Sequence, residues 1–225
     1  MKDGVQAITT ELEKGTAALP PLASAGKLRY TGRENTKALP RETGGAAAVW
    51  KGRTTMPDIT AVTHAQNIRY DRKAEALYII DQTLLPGEEK EIRLQTIDEM
   101  VEAIRALRVR GAPAIGICAA YCMYVLAKSI RTEDRPTFLK RLSDYGQQLD
   151  AARPTAVNLG WAIREMMRTA LEHVHDTRGQ MLDALYERAV VIHEDDIAKC
   201  RAISEYGLSL LKEGDGVLTH CNAGP

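Results

Sequence analysis

One stretch decides the fold class of this chain: Gly214-Asp-Gly-Val-Leu-Thr-His-Cys-Asn-Ala-Gly-Pro225. Its glycines mark a turn, and residues 217–219 form a short β-favouring run. In an open α/β sheet, ligands bind just beyond the carboxyl ends of the strands. Cys221 directly follows the predicted strand at 217–220, where a catalytic group is expected. We therefore predict that residues 213–225 begin a Rossmann-like catalytic domain and contribute only its first strand.

Composition excludes several classes of function. The 225 residues suggest one or two domains. The 30 basic and 30 acidic residues balance, and aromatic residues make up only 5%. We therefore expect neither a nucleic-acid partner nor a membrane partner. Residues 1–6 carry no secretory signal, and four cysteines without a framework pattern favour free thiols. A cytoplasmic protein is expected.

Residues 1–55 differ from the rest of the chain. Residues 27–53 contain seven basic residues and only two acidic ones, and large apolar residues are few. One interpretation is a basic nucleic-acid arm or an organelle-targeting segment. The favoured one is a disordered extension, since low hydrophobicity leaves little to offset the entropy of ordering. A third is upstream sequence translated in error, with Met56 as the natural start.

A small antiparallel unit followed by a helical bundle is predicted for residues 56–212. Folded sequence begins near Ile68, and the strand-like runs 77–80 and 92–94 flank a turn marked by Pro86-Gly87. Apolar residues then recur at helical spacing. Helices are predicted at roughly 97–107, 113–130, 136–151, 156–175, 178–193 and 195–212. The predicted class is α/β, with no complete parallel sheet before residue 213.

Two segments share one design, Arg110-Gly-Ala-Pro-Ala-Ile-Gly116 and Arg153-Pro-Thr-Ala-Val-Asn158. In each, an Arg stands just before a Pro at a predicted helix start, where the free N–H groups and the helix dipole attract anions. An Arg beside a helix start is usually a solvated surface residue, so one such segment alone would be weak. Two segments favour a phosphate site, with Arg110 and Arg153 facing one cavity.

The other cysteines and histidines are interpreted as structural. Cys118 and Cys122 are four residues apart, which could supply half of a metal site, but core packing is the stronger interpretation. His193-Glu-Asp-Asp196 is placed at a helix junction, where acidic residues are favourable, and lacks the second His of a zinc-protease motif. No metal site is predicted.

Four motifs together resemble the methylthioribose-1-phosphate isomerase family of methionine salvage. They are Arg110-Gly-Ala-Pro-Ala-Ile-Gly116, Arg153-Pro-Thr-Ala-Val-Asn-Leu159, Ile192-His-Glu-Asp-Asp196 and Leu218-Thr-His-Cys-Asn-Ala-Gly224. The resemblance covers roughly residues 68–224. The wider superfamily includes ribose-1,5-bisphosphate isomerases and regulatory subunits of a translation-initiation exchange factor.

The resemblance implies conversion of a cyclic aldose 1-phosphate to an open-chain ketose 1-phosphate. It implies that Arg110, Gly111, Ala112 and Arg153 bind the substrate and that Cys221 is the catalytic thiol. It also implies a sugar-phosphate substrate, a homodimer for the full-length family, and neither metal nor organic cofactor.

The family's catalytic acid lies in an Asp-Asn-Met-Ala-Gly motif that this sequence does not contain. Because acid catalysis contributes typically about 10²–10⁴-fold, the 225 residues are expected to be an inactive, C-terminally truncated fragment. The alternatives are a non-catalytic sugar-phosphate-binding or regulatory protein on the same scaffold, and an isomerase of another 5-deoxypentose 1-phosphate.

Overall fold

The computed structural model describes residues 67–213 and 215–216. The predictions for residues 1–55, for the strand at 217–220 and for Cys221 lie outside the described residues. The described part contains a three-stranded sheet followed by five helices. This confirms the antiparallel unit and the mainly helical region, while the Rossmann-like continuation stays a prediction.

The sheet is antiparallel, with strand order β1-β2-β3. The strands are β1 (Ile68–Asp71), β2 (Ala76–Ile80) and β3 (Glu91–Leu94). Tyr78 lies in the middle of the sheet, opposite Arg69 on β1 and Arg93 on β3. Strands β2 and β3 were predicted from the sequence, but the short β1 was not.

Five helices follow, and each begins at a recognisable signal. They are α1 (Ile97–Arg105), α2 (Ala112–Ser129), α3 (Arg135–Ala152), α4 (Val157–Glu172) and α5 (Arg178–Leu208). The Thr96 side chain caps α1 in a capping box with Glu99, and Thr177 caps α5 in the same way with Gln180. The first four helices match their predicted positions to within three residues at each end.

Helix α2 forms the centre of the bundle. Eleven of its 18 residues are buried, and the side chains of α3, α4 and α5 pack around it. By length and composition it is the one helix in the described part of the chain that could cross a membrane. Its burial by neighbouring helices is typical of a core helix.

The long helix α5 corrects two predictions. Residues 178–193 and 195–212 were expected to form separate helices, with His193-Glu-Asp-Asp196 at their junction, but one 31-residue helix runs through all four. Acidic residues suit a helix start, yet they are also tolerated in a helix interior when cations lie one turn away. Lys199 Nζ lies 2.5 Å from the Asp195 carboxylate at i, i+4. Residues 193–196 contain no Pro or Gly that would interrupt the helix.

The second half of α5 extends away from the core. Its last buried residue is Ile192. Six large apolar residues beyond it, on α5 and just after its end, are exposed: Ile197, Ile203, Tyr206, Leu208, Leu210 and Leu211. The predicted apolar stripe at 203–211 therefore has the expected helical spacing up to Leu208 but no covering element among the described residues.

Candidate functional site

Two helix N-termini differ from the other three. Helices α1, α3 and α5 each begin with a side chain that accepts a hydrogen bond from the first turn. The N-cap of α2 is Gly111 and that of α4 is Ala156, and neither gives a side-chain cap within the described structure. No side chain therefore occupies the first N–H groups of these two helices, although Pro113 has no N–H and the Leu159 N–H already donates to the Ala156 carbonyl at 3.0 Å. They are the two helix starts that the sequence identified as anion sites.

The same two N-termini lie side by side. A Cβ placed on Gly116, in the second turn of α2, would lie 3.0 Å from the carbonyl oxygen of Asn158. Asn158 is the second residue of α4. A side chain at this position would require Asn158 to shift by a few tenths of an ångström, so glycine suits the close approach of the two helices. The positive ends of two helix dipoles therefore meet at one end of the bundle, where they favour an anion.

The substrate-binding residues implied by the resemblance are distributed around these N-termini. Arg110 is exposed, and Gly111 and Ala112 follow it as the N-cap and first residue of α2. Arg153 is half-buried and forms the C-cap of α3, four residues before α4. The structure thus brings the two segments to the same end of the bundle. Cys221 lies outside the described residues.

The loop before α2 also makes a set of ionic contacts that were not predicted from the sequence. Arg108 lies between two carboxylates, with Nη1 2.5 Å from Asp81 Oδ2 and Nε 2.8 Å from Glu102 Oε2. Asp81 is buried directly after β2, and its other oxygen accepts hydrogen bonds from the Thr83 hydroxyl and N–H. The available signal was a single carboxylate directly after the apolar run 77–80.

These contacts keep all three groups charged. Burial would raise the pKa of Asp81, but the hydrogen bonds from Thr83 and the Arg108 guanidinium outweigh it and lower that pKa below its usual value. The hydrogen bond from Arg108 likewise lowers the pKa of Glu102. Hydrogen bonds to both carboxylates raise the pKa of Arg108. Arg108 is therefore fully occupied by protein carboxylates and leaves Arg110 as the exposed cation of this loop.

A cavity at the opposite end of α2 is a weaker candidate. It measures about 300 Å³ and lies between the β1–β2 turn and the start of α5. Its lining carries two basic residues, Arg72 and Lys128, and two acidic residues, Glu75 and Asp183, and Lys128 Nζ lies 2.6 Å from Glu75 Oε1. The cavity therefore presents no unpaired charge of one sign that would select a ligand.

No group of three or more metal-ligating side chains occurs within residues 67–213 and 215–216. Cys118 and Cys122 are both fully buried in the core, as expected from their helical spacing. Their sulfurs lie 3.9 Å apart. The free helix N-termini are accordingly the strongest candidate site in the described structure.

The chain is similar to several known proteins. Residues 108–225 match the Initiation factor 2 subunit family. Over 157 residues the chain is 44% identical to methylthioribose-1-phosphate isomerase of Parabacteroides distasonis, covering 70% of this chain and 47% of that protein. Over the same length it is 43% identical to 5-deoxyribose 1-phosphate isomerase of Clostridium botulinum, covering 70% of this chain and 45% of that protein.

Two crystal structures share the fold. One is 5-methylthioribose 1-phosphate isomerase of Pyrococcus horikoshii, with a TM-score of 0.66 and 34% identity, covering 71% of this chain and 44% of the other. The second is the delta subunit of translation initiation factor eIF-2B from A. fulgidus, with a TM-score of 0.63 and 34% identity. This match covers 71% of the present chain and 45% of the delta subunit. The chain spans less than half the length of each of these four relatives.

Proposed function

Because the chain belongs to the Initiation factor 2 subunit family, and because two helix N-termini without side-chain caps lie side by side, we propose that it is an aldose–ketose isomerase of a sugar 1-phosphate. The observation that carries the proposal is the contact between Gly116 and Asn158, which joins two uncapped helix starts. A phosphate group has the charge and the acceptor oxygens that such a site requires.

The proposed substrate is 5-methylthioribose 1-phosphate, and the product is 5-methylthioribulose 1-phosphate. The phosphate on the anomeric carbon prevents spontaneous ring opening. The enzyme must therefore assist cleavage of the ring C–O bond and move hydrogen from C2 to C1. We propose that Arg110 and Arg153 bind the phosphate, that the backbone at Gly111 and Ala112 contacts the substrate, and that Cys221 acts at the reacting carbons. The same resemblance favours a cytoplasmic homodimer for the complete enzyme.

A second candidate substrate is 5-deoxyribose 1-phosphate, because one similar relative bears that name. The two sugars share the reacting carbons and the phosphate, and they differ only in the substituent at C5. A non-catalytic binding function is a third candidate, favoured by the similarity to a translation initiation factor subunit. All three candidates use the same anion site.

Binding tests the phosphate site directly. Titration calorimetry of the 225-residue chain with 5-methylthioribose 1-phosphate should detect binding that Arg110→Ala and Arg153→Ala each weaken. A charge-assisted hydrogen bond contributes about 1.5–3 kcal/mol, so the expected loss is roughly tenfold to 100-fold. Arg131→Ala, at the exposed position just beyond the other end of α2, is the matched control and should bind normally. Equal affinity in all three variants would refute the site.

Turnover separates the candidates. We expect the 225 residues to bind the sugar phosphate without turning it over, because they contain no Asp-Asn-Met-Ala-Gly motif. Joining it to the C-terminal half of the Parabacteroides distasonis relative should give an active enzyme, and Cys221→Ser in that chimera should abolish turnover while binding persists. Comparing kcat/KM for the two sugar phosphates identifies the C5 substituent. Full turnover in the Cys221→Ser chimera would remove the assigned role of this thiol.

A further inference from the structure

Asp81 is one of only two buried polar or charged residues in the described structure. Its side chain is 3% exposed, whereas that of its partner Arg108 is 33% exposed. A buried carboxylate needs a full set of partners, since an unpaired buried charge is costly. Thr83 and Arg108 supply them. Asp81 therefore fixes where the Arg108 guanidinium lies.

Arg108 in turn fixes the loop that precedes α2. The backbone is already constrained there, because Leu107 has φ of 62°, a conformation that non-glycine residues rarely adopt. Such conformations persist only where surrounding contacts impose them. The Arg108 N–H donates to the Ala103 carbonyl at 2.9 Å, while its carbonyl accepts from the Gln82 N–H at 2.9 Å.

The residue next to Asp81 also contacts the loop. The Gln82 side chain donates from Nε2 to the Arg110 carbonyl at 3.4 Å. The segment after β2 thus holds the loop at two points, Arg108 and Arg110. Gly111 and the first turn of α2 follow directly. The position of the free N–H groups therefore depends on contacts made 27 and 28 residues earlier in the chain.

We propose that Asp81 is a positioning residue for the sugar-phosphate site, holding through Arg108 the loop that presents Arg110. This inference rests on the proposed function. Misplacement by about 1 Å can cost roughly 100-fold in the rate of an enzyme reaction, and we expect the phosphate contacts to be sensitive in the same way, so a loop released from Asp81 should bind the phosphate less well. Asp81 itself touches no substrate.

The variant Asp81→Asn tests the inference. Its amide oxygen can still accept from Thr83, but its NH₂ group would face the Arg108 guanidinium. The variant therefore loses the ion pair with Arg108, while the hydrogen bonds from Gln82 to the loop remain. We expect affinity for 5-methylthioribose 1-phosphate to fall roughly tenfold or more. Hydrogen exchange should also become faster at the N–H groups of Arg108 and Ile115, which bond to Ala103 and Gly111. Gln82→Ala should produce a smaller change of the same kind.

The control is Glu165→Gln, which breaks ion pairs to Arg168 and Arg188 in the bundle. It should lower the unfolding midpoint while leaving both the affinity and the exchange of the loop unchanged. If Asp81→Asn only lowers the midpoint, as the control does, the positioning role is refuted while the phosphate site stands. If the unmodified chain binds no sugar phosphate, the proposed function fails instead, and loop exchange still reports whether Asp81 orders the loop.

Discussion

The phenol oxygen of Tyr121 lies 3.3 Å from Nδ1 of His193 and joins α2 to the middle of α5. The two rings meet edge to face, with centroids 5.9 Å apart. Burial lowers the pKa of His193, against the opposing effect of Glu194 and Asp196. Burial also raises the pKa of Tyr121 to about 12. Both groups are therefore neutral in the folded protein at pH 7.

Stability should fall as the pH drops from about 7.5 to 5, because His193 gains a proton more readily in the unfolded chain, where its pKa is near 6.5. The stability present above that value is lost as the pH falls toward the lower pKa of the folded state. Urea unfolding across this range measures the effect. His193→Gln, neutral throughout, should flatten the curve, whereas the exposed His175→Gln should leave it unchanged. A persisting slope in His193→Gln would contradict the assignment.

Alanine at two helical glycines should change stability in opposite directions. Gly116→Ala places a methyl group 3.0 Å from the Asn158 carbonyl oxygen and 3.3 Å from its Cβ. Overpacking of this kind costs about 1–3 kcal/mol, more than the gain in helix propensity. Gly179→Ala meets nothing within 4 Å and should stabilise by about 0.5–1 kcal/mol. Free energies of unfolding in urea compare them. Equal stabilisation by both would mean that α2 and α4 do not approach closely.

Gly111→Ala should destabilise the protein through backbone strain. Gly111 has φ of 98°, which L-residues rarely adopt, although the nearest atom to an added Cβ is 3.8 Å away. A forced conformation of this kind costs about 1–3 kcal/mol. Gly207→Ala, where φ is ordinary and nothing lies within 4 Å, is the control and should not destabilise. Thermal unfolding of the two variants gives the comparison.

The three described cysteines should differ in reactivity. Cys118 and Cys122 are fully buried, and the hydrogen bond between their side chains together with burial raises the pKa of Cys122. Cys200 is exposed. Alkylation followed by peptide mass spectrometry should therefore label Cys200 rapidly and the buried pair only after unfolding. Fast labelling of Cys118 in the native protein would contradict its place in the core.

Local signals were sufficient to predict most of the fold. Helices α1 to α4 follow from apolar spacing and from their start signals, such as Thr96 before the acidic first turn of α1. Strand β1 was missed because it is only four residues long, and its alternation of apolar and polar side chains, Ile68-Arg-Tyr-Asp71, is too short a signal to stand out. The false break at 193–196 arose because acidic residues are compatible with both a helix start and a helix interior.

Some features of the candidate site could likewise be predicted from the sequence, whereas others could not. The starts of α2 and α4 could be identified because their Arg, Gly and Pro residues act within one turn of each helix. The contact between Asp81 and Arg108 spans 27 residues and depends on how the sheet packs beside the loop, which no local pattern specifies. The closeness of Gly116 to Asn158 is likewise a product of helix packing.

No element among the described residues covers the large apolar side chains near the end of α5, and this has a mechanical consequence. From Ile192, its last buried residue, to Leu208 the helix extends about 24 Å. A tilt of only about 10° at the Tyr121–His193 contact would therefore swing Leu208 through roughly 4 Å. Because a continuous helix transmits rotation along its axis, small rearrangements around one aromatic pair would be amplified several-fold at its tip. The orientation of the segment after Leu208 therefore depends on the stiffness of α5 and on how firmly its first half is held in the bundle.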